Sequence, residues 1–221
     1  MMRILAISDI HGCYDKLKEL LDKVQYTQSQ DKLILLGDYV DRGQDPMKTL
    51  FFIDELVKNG AIALMGNHDS MFLDLIQSNQ LESALYNNYY YRLGSINTIL
   101  DYKKLPIEKR LKINYILKNL LPYYTLDNYI FVHGGVNSSI PLEKNDFQDL
   151  IWLRNEFYYK KAYDNKIVIF GHTPTCNINE DGSCKIWYDD TYKDKIGIDC
   201  ACVYNGKLAC LDLTNNIEYY V

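Results

Sequence analysis

The sequence predicts an α/β fold organised on a parallel sheet. Three observations predict it: short apolar runs that end abruptly in polar loops, amphipathic helical stretches between the early runs, and turn signals near the C-terminus. At 221 residues the chain fits one domain, 1–221, with enough length for a substantial core.

Ile4-Leu5-Ala6-Ile7 is the first run and reads as a buried strand. Tyr14 to Val24 follows as a helix, with Leu17, Leu20, Leu21 and Val24 on one face. Leu33-Ile34-Leu35-Leu36 is the second strand, and Pro46 to Lys58 the second helix, with proline in its first turn. Ile62-Ala63-Leu64-Met65, Ile130-Phe131-Val132 and Ile167-Val168-Ile169-Phe170 complete the strand series, and the early strand-helix-strand alternation implies parallel pairing. Met71 to Asp127 interrupts the series as a helical insertion, exemplified by Glu108 to Asn119, and carries Tyr86 and Tyr89-Tyr90-Tyr91. Those tyrosines are expected to be half-buried with the hydroxyl reaching water, ahead of ligand stacking. Near the end, Asn205-Gly206 between Cys202-Val203-Tyr204 and Lys207-Leu208-Ala209 predicts a two-residue hairpin, and Asn215-Asn216 before Ile217 another reversal. Those strands are expected to join a second sheet packed on the first.

Composition excludes several classes. Hydrophobic content of 48% and charged content of 24% belong to a packed globular chain rather than a disordered one. A formal charge of −5, with no long lysine or arginine run, argues against a nucleic-acid clamp. The apolar runs fall short of the ~18 residues of a membrane span, and Asp9 comes too early for a signal peptide, so a cytoplasmic location is expected. The six cysteines include no Cys-x-x-Cys pair and are expected reduced, as small buried residues; Cys13 sits beside a candidate ligand loop.

All four histidines lie in tight polar clusters beside glycine: Asp9-Ile10-His11-Gly12, Gly66-Asn67-His68-Asp69, His133-Gly134-Gly135 and Gly171-His172-Thr173-Pro174. A further cluster, Gly37 to Gly43, contains Asp38, Asp41 and Arg42. A lone Asp-x-His is ordinary turn chemistry. Five such clusters in order at strand ends are another matter, because α/β sheets bind ligands outside the carboxyl ends of their strands. Asp9, His11, Asp38, Asn67, His133 and His172 would thus meet at one edge, as ligands of two divalent ions that share Asp38. One ion takes Asp9, His11 and Asp38; the other takes Asp38, Asn67, His133 and His172. Hard oxygen with imidazole nitrogen and no thiolate suits manganese first, with iron or zinc as alternatives, at open positions. Such a pair can hold a phosphoryl group and turn a bridging water into hydroxide. His68 is left over as general acid and Asp41 as its orienting partner. Arg42 and Arg154 offer planar forks for phosphate oxygens, with Asn67 beside them.

These motifs resemble the calcineurin-like metallophosphoesterases, and within them the phosphoprotein phosphatase family. Ser8 to Gly12 is similar to the first motif, Gly37 to Gly43 to the second, Gly66 to Asp69 to the third, and His133-Gly134-Gly135 and Gly171-His172 to the two later ligand positions. Pro174 stands where relatives outside that family have a second ligating histidine. Three positions depart from the pattern: Ser8 replaces a glycine, Asp69 a glutamate, and Met65 an arginine that would contact phosphate. The resemblance implies a four-layer α/β/β/α sandwich with a dinuclear metal centre that hydrolyses phosphate esters. Its leading implication is a serine/threonine phosphoprotein phosphatase, extending to phosphotyrosine. The alternative is a symmetrical bis(5'-nucleosyl)-tetraphosphatase, so the partner is a phosphoprotein or a phosphorylated nucleotide; a non-catalytic binding module is the remote third.

Overall fold

The computed structural model describes residues 2–221. In chain order the first half comprises β1 (Arg3–Ile7), α1 (Tyr14–Lys23), β2 (Asp31–Leu35), α2 (Pro46–Lys58), β3 (Ile62–Ala63) and α3 (Asn67–Gln77). Short helices α4 (Leu81–Ala84) and α5 (Asn88–Leu93) lead into α6 (Ile96–Lys104) and α7 (Ile107–Lys118). The second half adds β4 (Tyr123–Leu126), β5 (Tyr129–Val132), α8 (Phe147–Trp152), α9 (Asn155–Tyr158) and β6 (Ile167–Phe170). It closes with β7 (Trp187–Tyr188), β8 (Lys195–Gly197), β9 (Ala209–Asp212) and β10 (Ile217–Tyr220).

Two five-stranded sheets result, ordered β10-β9-β1-β2-β3 and β4-β5-β6-β8-β7. Within the first, β1, β2 and β3 are parallel; within the second, β5, β6 and β8 are parallel. Strand alternation distributes the side chains into layers. Leu5 and Ile7 of β1 pack with Leu17 and Leu20 of α1 and Leu50 and Ile53 of α2. Ala6 faces the other way and joins Ile34, Phe131, Ile169 and Leu211 between the sheets. Ile130, Val132, Val168 and Phe170 cover the far side with Leu150 of α8 and Phe157 of α9. The order helix, sheet, sheet, helix is the expected four-layer sandwich.

Three expectations need correction. The C-terminal strands extend the first sheet, with β9 antiparallel to β1, and do not build the second. Residues 202–204 and 207–208 form no strand: Gly206 and Lys207 donate to the Ala201 and Cys200 carbonyls, so Asn205-Gly206 closes a loop. A Cβ on Gly206 would meet the Cys200 oxygen at 2.1 Å, which explains the glycine without a hairpin. The Asn215-Asn216 reversal is the one that links two strands. Finally, the stretch 71–127 is not helical throughout, because Tyr123–Leu126 pairs with β5 as an antiparallel edge strand.

Candidate metal centre

Six parallel strands, three per sheet, point their carboxyl ends at one edge of the sandwich, so the ligand edge is shared by two sheets rather than belonging to one. The sheets are tied there by His133, whose Nδ1–H donates to the Leu36 carbonyl at 2.8 Å. Close approach of the loops demands missing side chains. A Cβ on Gly66 would lie 2.2 Å from both the amide nitrogen and a carboxylate oxygen of Asp38, and one on Gly171 would overlap the Ser8 hydroxyl. Asp9, His11, Asp38, Asp41, Arg42 and His172 all adopt positive φ, between 46° and 70°. Strain of this kind is uncommon for non-glycine residues and concentrates at functional sites.

The structure gathers four of the six candidate ligands, His11, Asp38, His133 and His172, into two donor groups, and sets Asn67 and Asp9 beside them. Asp38 and His133, His172 form one group of donor atoms within 4.8 Å of one another, and His11, Asp38 and His68 form another. Asp38 therefore sits in both, with one carboxylate oxygen 3.4 Å from His133 Nε2 and the other 3.5 Å from His11 Nε2. Asn67 Oδ1 lies 3.0 Å from His133 Nε2. Asp9 joins through its Oδ2, which accepts the His172 amide at 3.0 Å and the Ser8 hydroxyl. Ser8, a departure from the motif, thus braces a candidate ligand.

The donor chemistry fits divalent cations. Nδ1 of His11 and of His133 each face a backbone carbonyl, so each must carry the proton, leaving Nε2 as a lone pair turned inward. His133 Nε2 then faces the amide oxygen of Asn67, acceptor against acceptor. His172 Nε2 is buried without a hydrogen-bond partner among the described residues. Burial lowers His11 to about 3 and His172 to about 2, keeping both imidazoles neutral and ready to ligate. Burial pushes Asp9 up, as it does Asp199, whose carboxyl also feels the Asp9 charge. Buried carboxylates in such density call for cations.

Beside the ligands, His68 Nδ1 donates to Asp41 Oδ2 at 2.7 Å. The same Asp41 oxygen accepts Ser95 Oγ at 2.7 Å, and the Asp41 amide donates to Thr98 Oγ1 at 3.0 Å. Ser95 and Thr98 come from the start of α6, so the helical insertion holds the orienting partner. Arg42 places one guanidinium nitrogen on His11 Nε2 and the other 2.8 Å from His68 Nε2. Arg154 is fastened by Nη1 to the His172 carbonyl and to Thr173 Oγ1, both at 3.1 Å. Asp69 is buried and accepts the amides of Asp38, Tyr39, Val40 and Gly66, clamping the second motif to the third. Met65 is buried and offers no phosphate contact.

Sequence reasoning missed Ser95, Thr98, Asp199 and the clamping role of Asp69. For Ser95 and Thr98 no local signal exists, since they reach Asp41 across 54 and 57 positions. The tyrosine expectation also needs correction: Tyr86, Tyr89 and Tyr91 are 89%, 51% and 74% exposed, and Tyr90 alone packs against Leu75, Ala84 and Ile99. Cysteines 200, 202 and 210 are buried as expected, while Cys13, Cys176 and Cys184 are half-buried. Among the described residues, no helix is long and apolar enough to cross a membrane.

Comparison with known proteins agrees with the geometry. The chain is 34% identical over 143 residues to a symmetrical bis(5'-nucleosyl)-tetraphosphatase of Nitrosospira multiformis, covering 65% of this chain and 47% of that protein. It thus spans about half the length of the curated relatives it matches. Among solved structures, a chain assigned as a diadenosine tetraphosphatase superposes with a TM-score of 0.73 at 22% identity, covering 100% and 93% of the two chains. A cold-active protein-tyrosine phosphatase of a psychrophilic Shewanella does so at 0.62 and 18%, covering 100% and 80%. At such identities these two establish the fold alone. The sequence matches the Calcineurin-like phosphoesterase family over residues 2–206, and the chain belongs to that family.

Proposed function

We propose that the chain is a dinuclear-metal phosphoester hydrolase that cleaves dinucleoside tetraphosphates symmetrically. The observation that carries the chemistry is the pair of donor groups sharing Asp38, one of which includes His68, whose other ring nitrogen is held by Asp41. The substrate class rests on the relative named a symmetrical bis(5'-nucleosyl)-tetraphosphatase. That reverses the order expected from sequence, where the phosphoprotein phosphatase leads.

Asp9, His11 and Asp38 would hold one ion, and Asp38, Asn67, His133 and His172 the other, with manganese the first candidate for this oxygen and imidazole set. When bound, the two ions supply positive charge to the phosphate chain and polarise the attacking water. His68 delivers a proton from Nε2 to the leaving phosphate oxygen, while Asp41 accepts its Nδ1–H and fixes the ring. Arg42 now spans two imidazole nitrogens, and a phosphate oxygen competes for the same fork. Turning to substrate, Arg42 frees His68 Nε2 to carry the proton. Arg154 contributes a second fork from the His172 side. Water and the tetraphosphate yield two nucleoside diphosphates.

Chromatography of the products from diadenosine tetraphosphate and manganese tests this reading. ADP as sole nucleotide product supports it. ATP with AMP removes the symmetrical cleavage, and phosphate release from phosphopeptides without nucleotide turnover restores the phosphoprotein reading.

A further inference from the structure

Arg42 is gripped by two elements that each carry an open tyrosine ring. On one side stands the C-terminus of α5: the Arg42 amide donates to the Gly94 carbonyl at 2.9 Å, and a Cβ on Gly94 would lie 2.9 Å from Arg42 Cγ. Gly94, at φ 77°, caps α5, and its amide donates to the Tyr91 carbonyl, so Tyr91 sits one helical turn before the residue that abuts Arg42. The other element is the loop closed by Gly206, where the Tyr204 ring centroid is 5.1 Å from Arg42 Cζ. Both rings face solvent, Tyr91 at 74% and Tyr204 at 56% exposed. Scattered exposed aromatics are ordinary. Two on elements that both abut one arginine, Tyr204 through its ring and Tyr91 through the Gly94 cap, next to the candidate acid His68, are not scattered.

We infer that Tyr91 and Tyr204 form the platform on which the base of the leaving nucleotide stacks, and that they set the preference for nucleotides over simple phosphate esters. The inference rests on the nucleotide reading above. His68 protonates the departing oxygen and Arg42 lies between it and Tyr204, so the departing half of the substrate lies over these residues. In a nucleoside diphosphate the base sits beyond two phosphates and a sugar, outside the ring of ligands and polar side chains. Only a flat, sequence-tolerant surface is required there, because every base presents a π-face. Tyrosine supplies it with few torsions to freeze.

The test is equilibrium binding of ADP and of inorganic pyrophosphate to the manganese-loaded protein by calorimetry. The platform predicts that ADP binds at least about tenfold more tightly than pyrophosphate, the scale of one base–aromatic stack. Tyr91→Ala and Tyr204→Ala should each shrink that ratio several-fold, whereas Tyr91→Phe and Tyr204→Phe keep it, with metal content and circular dichroism showing intact folding. Equal affinities in the wild type, or a ratio that survives both alanine variants, overturns the platform. Because binding is measured without turnover, the two proposals separate. A protein that prefers ADP through these rings but leaves diadenosine tetraphosphate intact loses the substrate assignment and keeps the platform.

Discussion

His68 is held by one nitrogen and free to work with the other, and what holds it was placed by two distant hydroxyls. Replacing His68 by asparagine should cut turnover by ~10²–10⁴-fold, the range of general acid catalysis, with bound metal unchanged by elemental analysis; an unchanged rate would remove the acid role. Ser95→Ala deletes one donor to Asp41. A hydrogen bond of ~1 kcal/mol predicts a several-fold lower kcat, with KM for the same substrate little moved. The neutral imidazoles also make the metal-free protein acid-sensitive. His11 and His172 titrate near 3 and 2 in the folded chain but near 6.5 when unfolded, so on acidification the unfolded chain takes up protons first. Their contribution to stability is complete above about pH 6.5 and drains away as pH falls towards 3. Urea unfolding of chelated protein at pH 7 and pH 5 should show the loss; equal midpoints would contradict neutral, buried rings.

At the scale of elements, periodicity made β1, β2, α1 and α2 legible, because each buries one face and advertises it by spacing. The ligand loops were legible for a different reason: a glycine or polar cluster directly after an apolar run has nowhere to go but the strand end. What stayed hidden depends on pairing across the fold. Nothing near Ala209 announces that β9 lies against β1, and Tyr123–Leu126 looks like the tail of an insertion until β5 claims it. Nor does Asp69 show by itself that it gathers four backbone amides. Asp69→Asn would turn an amide NH2 group towards those donors, predicting a loss of ~1–3 kcal/mol or more in unfolding free energy together with weaker metal binding. A stability within error of wild type would show that the clamp carries no weight.

For the whole molecule, two sheets that share one edge explain why the ligands come from both halves of the sequence, 163 positions apart between Asp9 and His172. Occupancy of that edge ties the sheets together, so ions that bind only the folded chain raise its stability, by ~2.7 kcal/mol at a hundredfold excess over Kd. Melting in manganese should therefore exceed melting in chelator by several degrees. The account depends most on Asp38 serving two ions at once. Elemental analysis of active protein tests this directly: two divalent ions per chain in the wild type, with Asp38→Asn losing both ions and activity, is the predicted result. Full activity with no bound metal, or an Asp38→Asn protein that keeps both ions, would contradict it.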